Sequence, residues 1–135
     1  MSCELCDRTG GELLWQGDFC RVVHIDEAGY RGYCRVIWQA HVKEMTDLSE
    51  DDRLRFMEVV FAVESVLREQ LAPAKINLAS LGNVVPHLHW HVIPRYADDP
   101  HFPQPIWGPA QRVPALRERE MSTAALAAAL AAALE

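Results

Sequence analysis

The chain has no surplus of positive charge. Its 13 Lys and Arg stand against 19 Asp and Glu, a formal net charge of −6. A protein that grips a phosphodiester backbone is expected to be basic, so nucleic acid is not an expected partner. A small phosphorylated ligand stays open, because a local site can be positive on an acidic protein. Long hydrophobic runs are also missing. The one extended apolar stretch, from Ala124, is Ala-dominated and too short to span a bilayer, so no membrane partner is expected. Residues Met1 to Asp7 have neither a basic n-region nor an apolar h-region, which predicts a cytoplasmic protein. Cysteine is scarce, with 4 in 135 residues. In that compartment these are reduced thiols or metal ligands rather than disulfides. No internal repeat and no separate second domain is visible.

What is present suits one compact domain with a real core: 50% of the residues are hydrophobic and 24% charged. The most informative stretch is 86–95, Pro-His-Leu-His-Trp-His-Val-Ile-Pro-Arg. In a β-strand, side chains at i, i+2 and i+4 share one face. His87, His89 and His91 therefore line one side, and Leu88, Trp90 and Val92 pack on the other. Clustered imidazoles serve metal binding or chemistry near neutral pH.

Residues 12–16 and 19–25 read as two strands of a hairpin, with Gly17-Asp18 as a two-residue turn. Residues 26–32 are a loop by composition, and a third strand runs roughly from Tyr33 to Ala40, ending at His41. Residues 49–71 form the best helix. Ser49 caps it, Glu50, Asp51 and Asp52 suit the positive end of its dipole, and Pro73 ends it. Phe56, Val59, Val60, Val63, Val66, Leu67 and Leu71 recur at helical spacing as a core face. Lys75 to Leu81 is a fourth strand, antiparallel to the histidine strand, so Gly82 and Asn83 of the turn lie beside the histidine row.

From Tyr96 the prolines at 100, 103, 105, 109 and 114 exclude a regular element. Phe102, Ile106 and Trp107 predict an ordered arm, with His101 at the surface. Residues 122–134 form a second helix, with Ser122 as cap and Leu126, Leu130 and Leu134 as a stripe that docks on the domain or on a partner subunit. The organisation expected is a domain over 1–115, including the arm 96–115, and a helical tail over 116–135.

Cys3 and Cys6 form a Cys-x-x-Cys pair, which fits half a zinc site, a redox pair or two unrelated thiols. For the histidine row two chemistries fit: three ligands of a catalytic metal, or one nucleophilic His with two assistants.

The row His87-Leu88-His89-Trp90-His91-Val92-Ile93 resembles the His-φ-His-φ-His-φ-φ signature of the histidine triad (HIT) superfamily of nucleotide hydrolases and transferases. The resemblance extends over about residues 3–95, through the strand Gly32 to His41, the helix after it and the strand carrying Asn77. The stretch His-Phe-Pro-x-Pro-Ile-Trp at 101–107 is similar to a bacterial branch.

The resemblance implies an α+β fold, a five-stranded mainly antiparallel sheet with one long helix plus the C-terminal helix, and a homodimer. It implies that His89 attacks the α-phosphorus of a nucleoside-phosphate derivative, forming a nucleotidyl-histidine. The carbonyl of His87 would hold His89 in one tautomer, and His91 would face the phosphate oxygens. Asp26 and Asn77 would contact the nucleoside and Asn83 the phosphate. It further implies a structural zinc on Cys3, Cys6, His41 and His87, and no organic cofactor.

Three departures stand out. Trp38-Gln39-Ala40 replaces proline and lysine, leaving Arg35 or Arg95 as the basic group. Tyr33 stands where some members have another His, and Val84 where many have Ser or Thr. Two other classes of function remain at this point, a zinc hydrolase that uses the three histidines as ligands, and a nucleotide-binding regulatory module with little turnover.

Overall fold

The computed structural model describes residues 2–114 and 122–135. Its elements are the one-turn helix α1 (Glu4–Asp7), β1 (Glu12–Gln16), β2 (Cys20–His24), β3 (Cys34–Trp38), α2 (Glu50–Leu71), β4 (Lys75–Ala79), β5 (His89–Arg95) and α3 (Thr123–Leu134). The strands form one antiparallel sheet in the order β1-β2-β3-β5-β4. The expected α+β architecture is therefore present. Among the described residues no helix is long and apolar enough to cross a membrane.

The period-2 and period-3.6 patterns decide which faces meet. Val22, Val36 and Val92 point from the sheet toward the stripe on α2, whose seven expected core residues from Phe56 to Leu71 are all buried. Ser49 Oγ accepts the Asp52 backbone N–H at 3.2 Å and starts that helix. α3 closes the same core. Its Leu126 and Leu130 are buried with residues of α2 and β1, so the tail helix docks on its own domain. Ser122 Oγ accepts from Ala125 N at 3.1 Å and caps it as expected. The expected domain boundary at 115/116 lies outside the described residues.

Several details differ from the sequence reading: β3 and β4 are shorter than the expected Tyr33–Ala40 and Lys75–Leu81, at Cys34–Trp38 and Lys75–Ala79. The first hairpin turn takes three residues, because Phe19 leaves β2 and stacks on Trp38 at 5.9 Å. The histidine strand starts at His89, not before His87. The His87 backbone N–H is spent on Val85 O at 2.8 Å, so the chain is still turning there.

The arm from 96 to 114 has no regular element but is ordered by a buried carboxylate. Asp99, 1% exposed, accepts from Arg95 Nε at 2.8 Å and from the backbone N–H groups of Tyr96, His101 and Phe102. Arg112 donates to Asp99 O and to Phe102 O. His101 is half-buried rather than at the surface, 2.6 Å from the Tyr30 hydroxyl through Nδ1. The arm needs such a partner because its prolines supply no N–H donors.

Candidate functional site

The site lies on the sheet face opposite α2. Alternation along β5 puts His89, His91 and Arg95 on that face, and the register sets Arg35 directly opposite His91 and Ile37 opposite His89. His89 and His91 meet edge to face with ring centroids 5.0 Å apart. Trp107 of the arm meets the other side of His91 at 5.0 Å.

Each ring of the row has one nitrogen already assigned. His87 Nε2–H donates to Trp38 O at 2.6 Å, which leaves Nδ1 bare. His89 Nδ1–H donates to His87 O at 2.6 Å, which leaves Nε2 bare. His91 Nδ1 lies 2.8 Å from the Tyr33 hydroxyl. Burial lowers the pKa of all three below the ordinary histidine value, that of His91 to about 3, where His89 and Arg35 add repulsion. The rings are therefore neutral near pH 7, as a nucleophilic imidazole must be.

Arg35, His89, His91, Asn83 and Trp107 line a cavity of about 370 Å³. Arg35 also lines a cavity of about 350 Å³ with His24, Asp26 and Gly11. It stands between the two, and its Nε is buried without a hydrogen-bond partner. A buried unpaired donor costs stability unless a ligand atom satisfies it, so this is where an oxyanion fits. Arg95, the other basic group considered, is withdrawn from any such role. It is 3% exposed and spends its donors on Asp99, Asn77 and Gln104 O.

The sequence-derived site residues thus separate into groups. His89, His91 and Asn83 share one cavity, and Asp26 sits in the adjoining one. Asn77 lines a third cavity of about 630 Å³ with Arg95 and Trp107, and its carbonyl oxygen accepts from Arg95 at 2.8 Å. Trp107 and Tyr33 were not read as site residues from sequence. For Tyr33 the signal was its place where some members of the resembling family have another His; no local pattern marks Trp107, which reaches His91 from the arm.

Cys3, Cys6, His41 and His87 converge. Their ligand atoms all lie within 4.8 Å of one another. The two sulfurs are each 3.4 Å from His87 Nδ1, His41 Nδ1 is 3.5 Å from Cys6 Sγ, and the two Nδ1 atoms are 3.3 Å apart. A tetrahedron with ordinary Zn–S and Zn–N lengths has edges of about 3.3–3.8 Å, so the donor set fits zinc. The Trp38 carbonyl fixes the His87 tautomer that ligation needs, the outer support such histidines use. Arg21 holds the segment in place by donating to the carbonyls of Leu5, Arg8 and Thr9. Among the described residues this is the one such cluster, and His87, His89 and His91 do not converge as a set. All four cysteines are free, and burial pushes Cys20 and Cys34 up to about 12, which leaves them inert.

Solved structures of bacterial proteins share this fold. A histidine triad protein of Sinorhizobium meliloti is 26% identical, with a TM-score of 0.76 and 99% of this chain and 96% of that one covered. A histidine triad protein of Marinobacter aquaeolei is 27% identical, with a TM-score of 0.75 and coverage of 99% and 95%. A Zn-bound histidine triad family protein of Mycobacterium smegmatis is 24% identical, with a TM-score of 0.67 and coverage of 98% and 95%. No curated protein matches the sequence. The family model for the HIT domain matches residues 11–98, which span the whole sheet, the long helix and the histidine row, and the chain belongs to the HIT family.

Proposed function

We propose that the protein hydrolyses or transfers a nucleotidyl group at the α-phosphate of a nucleoside-phosphate derivative, a dinucleoside polyphosphate or a nucleoside phosphoramidate. The observation that carries this reading is the 2.6 Å bond from His89 Nδ1–H to His87 O, which leaves Nε2 as a neutral nucleophile beside Arg35. Nε2 attacks phosphorus, a P–N bond forms, and the bond to the leaving group breaks with its electron pair on the leaving group. Water or another acceptor then displaces His89, which recovers its lone pair. Arg35 and His91 meet the charge that develops on the phosphate oxygens. Asn83 adds a donor in the same cavity, and Asp26 takes the ribose hydroxyls in the next. Asn77 acts on the nucleoside side indirectly, by orienting Arg95 and the arm.

Zinc on Cys3, Cys6, His41 and His87 is part of the proposal. The donor geometry supports it, and a Zn-bound relative is in keeping with it. Bound there, the cation neutralises two thiolates and pins the N-terminal segment to His87. Its role is structural, since four protein ligands leave no open position. The protein is further proposed to be a homodimer. β4 is an edge strand, and α2 carries Phe61 with 52% of its surface exposed.

The test is intact mass spectrometry after mixing with adenosine 5′-phosphoramidate or diadenosine polyphosphate. An adenylyl adduct on the wild type and none on His89→Asn is the expected result. Tight nucleotide binding with neither adduct nor AMP release would instead make this a binding module.

A further inference from the structure

We infer that Tyr33 is a positioning residue that sets the tautomer of His91, so that His91 presents an N–H to the substrate phosphate. The inference rests on the reading of the site above, because it concerns the same phosphate.

A neutral imidazole has one N–H and one bare nitrogen, and its partner decides which is which. For His87 and His89 a carbonyl decides, since a carbonyl only accepts. For His91 the partner is a hydroxyl, which can donate or accept, so the relative donor and acceptor strengths of phenol and imidazole decide. Tyr33 is 3% exposed, and among the described residues its hydroxyl has one hydrogen-bond partner, His91 Nδ1 at 2.8 Å. A phenol O–H is a stronger donor than the N–H of a neutral imidazole, and an imidazole nitrogen is a stronger acceptor than a phenol oxygen. The hydroxyl therefore gives its single proton to His91 Nδ1 across the 2.8 Å contact. Nε2 then carries the ring proton. Burial raises the Tyr33 phenol pKa and lowers that of His91 to about 3, so both groups keep these protons through neutral pH.

The placement of Tyr33 is built into the backbone. Gly32 before it has φ +74, and a Cβ there would stand 2.4 Å from Leu71 Cδ1. Only glycine makes that turn against α2 without strain. It delivers Tyr33 into β3 next to the site, while Trp107 and His89 hold the His91 ring edge to face on its other sides. The opposite tautomer would aim a lone pair at the phosphate oxygens. One tyrosine proton thus separates a hydrogen-bond donor from a repulsive contact.

The experiment pairs the tautomer with the rate. Wild type, Tyr33→Phe and Tyr33→His are labelled with ¹⁵N-histidine, and the His91 resonances are assigned with His91→Gln. The expected wild-type spectrum shows His91 protonated at Nε2 near pH 7. Tyr33→Phe should give mixed tautomers and lower kcat on adenosine 5′-phosphoramidate by roughly 10- to 100-fold, the range for losing a group that orients a functional histidine. KM should change little, and Tyr33→His, which restores a donor, should recover both readouts. A wild-type His91 protonated at Nδ1 overturns the inference, as does Tyr33→Phe with an unchanged tautomer or an unchanged rate. Should the wild type lack turnover and adduct altogether, the proposed function fails and the resting-state spectrum still decides the role of Tyr33. Should Tyr33→Phe not fold, the wild-type and Tyr33→His spectra decide it.

Discussion

Arg95 and Asp99 form a buried, two-pronged ion pair, with Nε–Oδ2 at 2.8 Å and Nη2–Oδ1 at 3.1 Å. Arg95 is the last residue of the histidine strand and Asp99 organises the arm that brings Trp107 to His91. The pair therefore ties the shape of the cavity to the end of β5. Asp99→Asn leaves Arg95 buried without its counter-charge. It should cost about 3–5 kcal/mol in urea denaturation, the usual penalty for breaking a buried pair from one side. A loss under 1 kcal/mol would mean that the arm is held by its other contacts.

The same carboxylate predicts an acid dependence of stability. Burial alone would raise the pKa of Asp99, but the Arg95 bond and the backbone donors of Tyr96, Phe102 and His101 reverse that and hold it at about 2, against an ordinary 3.8. The folded value is depressed, so the unfolded chain binds the proton more readily. The contribution, about 2 kcal/mol, is present above pH 4 and is lost as pH falls from about 4 to about 2. Urea midpoints across that range should fall in the wild type more steeply than in Asp99→Asn.

Arg35→Ala tests the phosphate cradle. Its Nε is buried and unpartnered, so removing the side chain should not lower the melting temperature appreciably. The value of kcat/KM on adenosine 5′-phosphoramidate should fall by roughly 10²–10³-fold, as on loss of a donor aimed at a developing oxyanion. Equal losses of stability and activity would point to a structural role instead.

Metal content is predicted as well. Protein purified without chelator should carry one zinc per chain, and Cys6→Ser should reduce it. Chelation should lower the melting temperature of the wild type by several degrees and leave that of Cys6→Ser nearly unchanged. No melting shift on the wild type would remove zinc from the account.

Packing of the tail helix is open to a direct check. Leu130 is 1% exposed in the shared core, so Leu130→Ala should cost about 2–5 kcal/mol. A cost near zero would mean that α3 does not dock on the domain in solution.

The sequence by itself determined whatever depends on a period or a local signal. Alternation along 87–93 assigned His87, His89 and His91 to one face and Leu88, Trp90 and Val92 to the other, and the strand carries His89 and His91 while His87 lies just before it. Helical spacing named all seven buried residues of α2, and Ser49 and Ser122 marked two helix starts by their capping chemistry. The resemblance around the row put Cys3, Cys6, His41 and His87 together, and the structure brings them within 4.8 Å. Tertiary structure alone decided which cation faces the site and which is locked away. Arg35 and Arg95 look equivalent as residues, but only one finds a carboxylate four residues on that is buried with it. It also decided that Tyr33 and Trp107 touch His91, and that His101 is tied to Tyr30 rather than solvated. Those contacts join segments tens of residues apart through side chains without a repeat. A period reports which face a residue occupies, and it carries no record of the partner that arrives there from elsewhere in the chain.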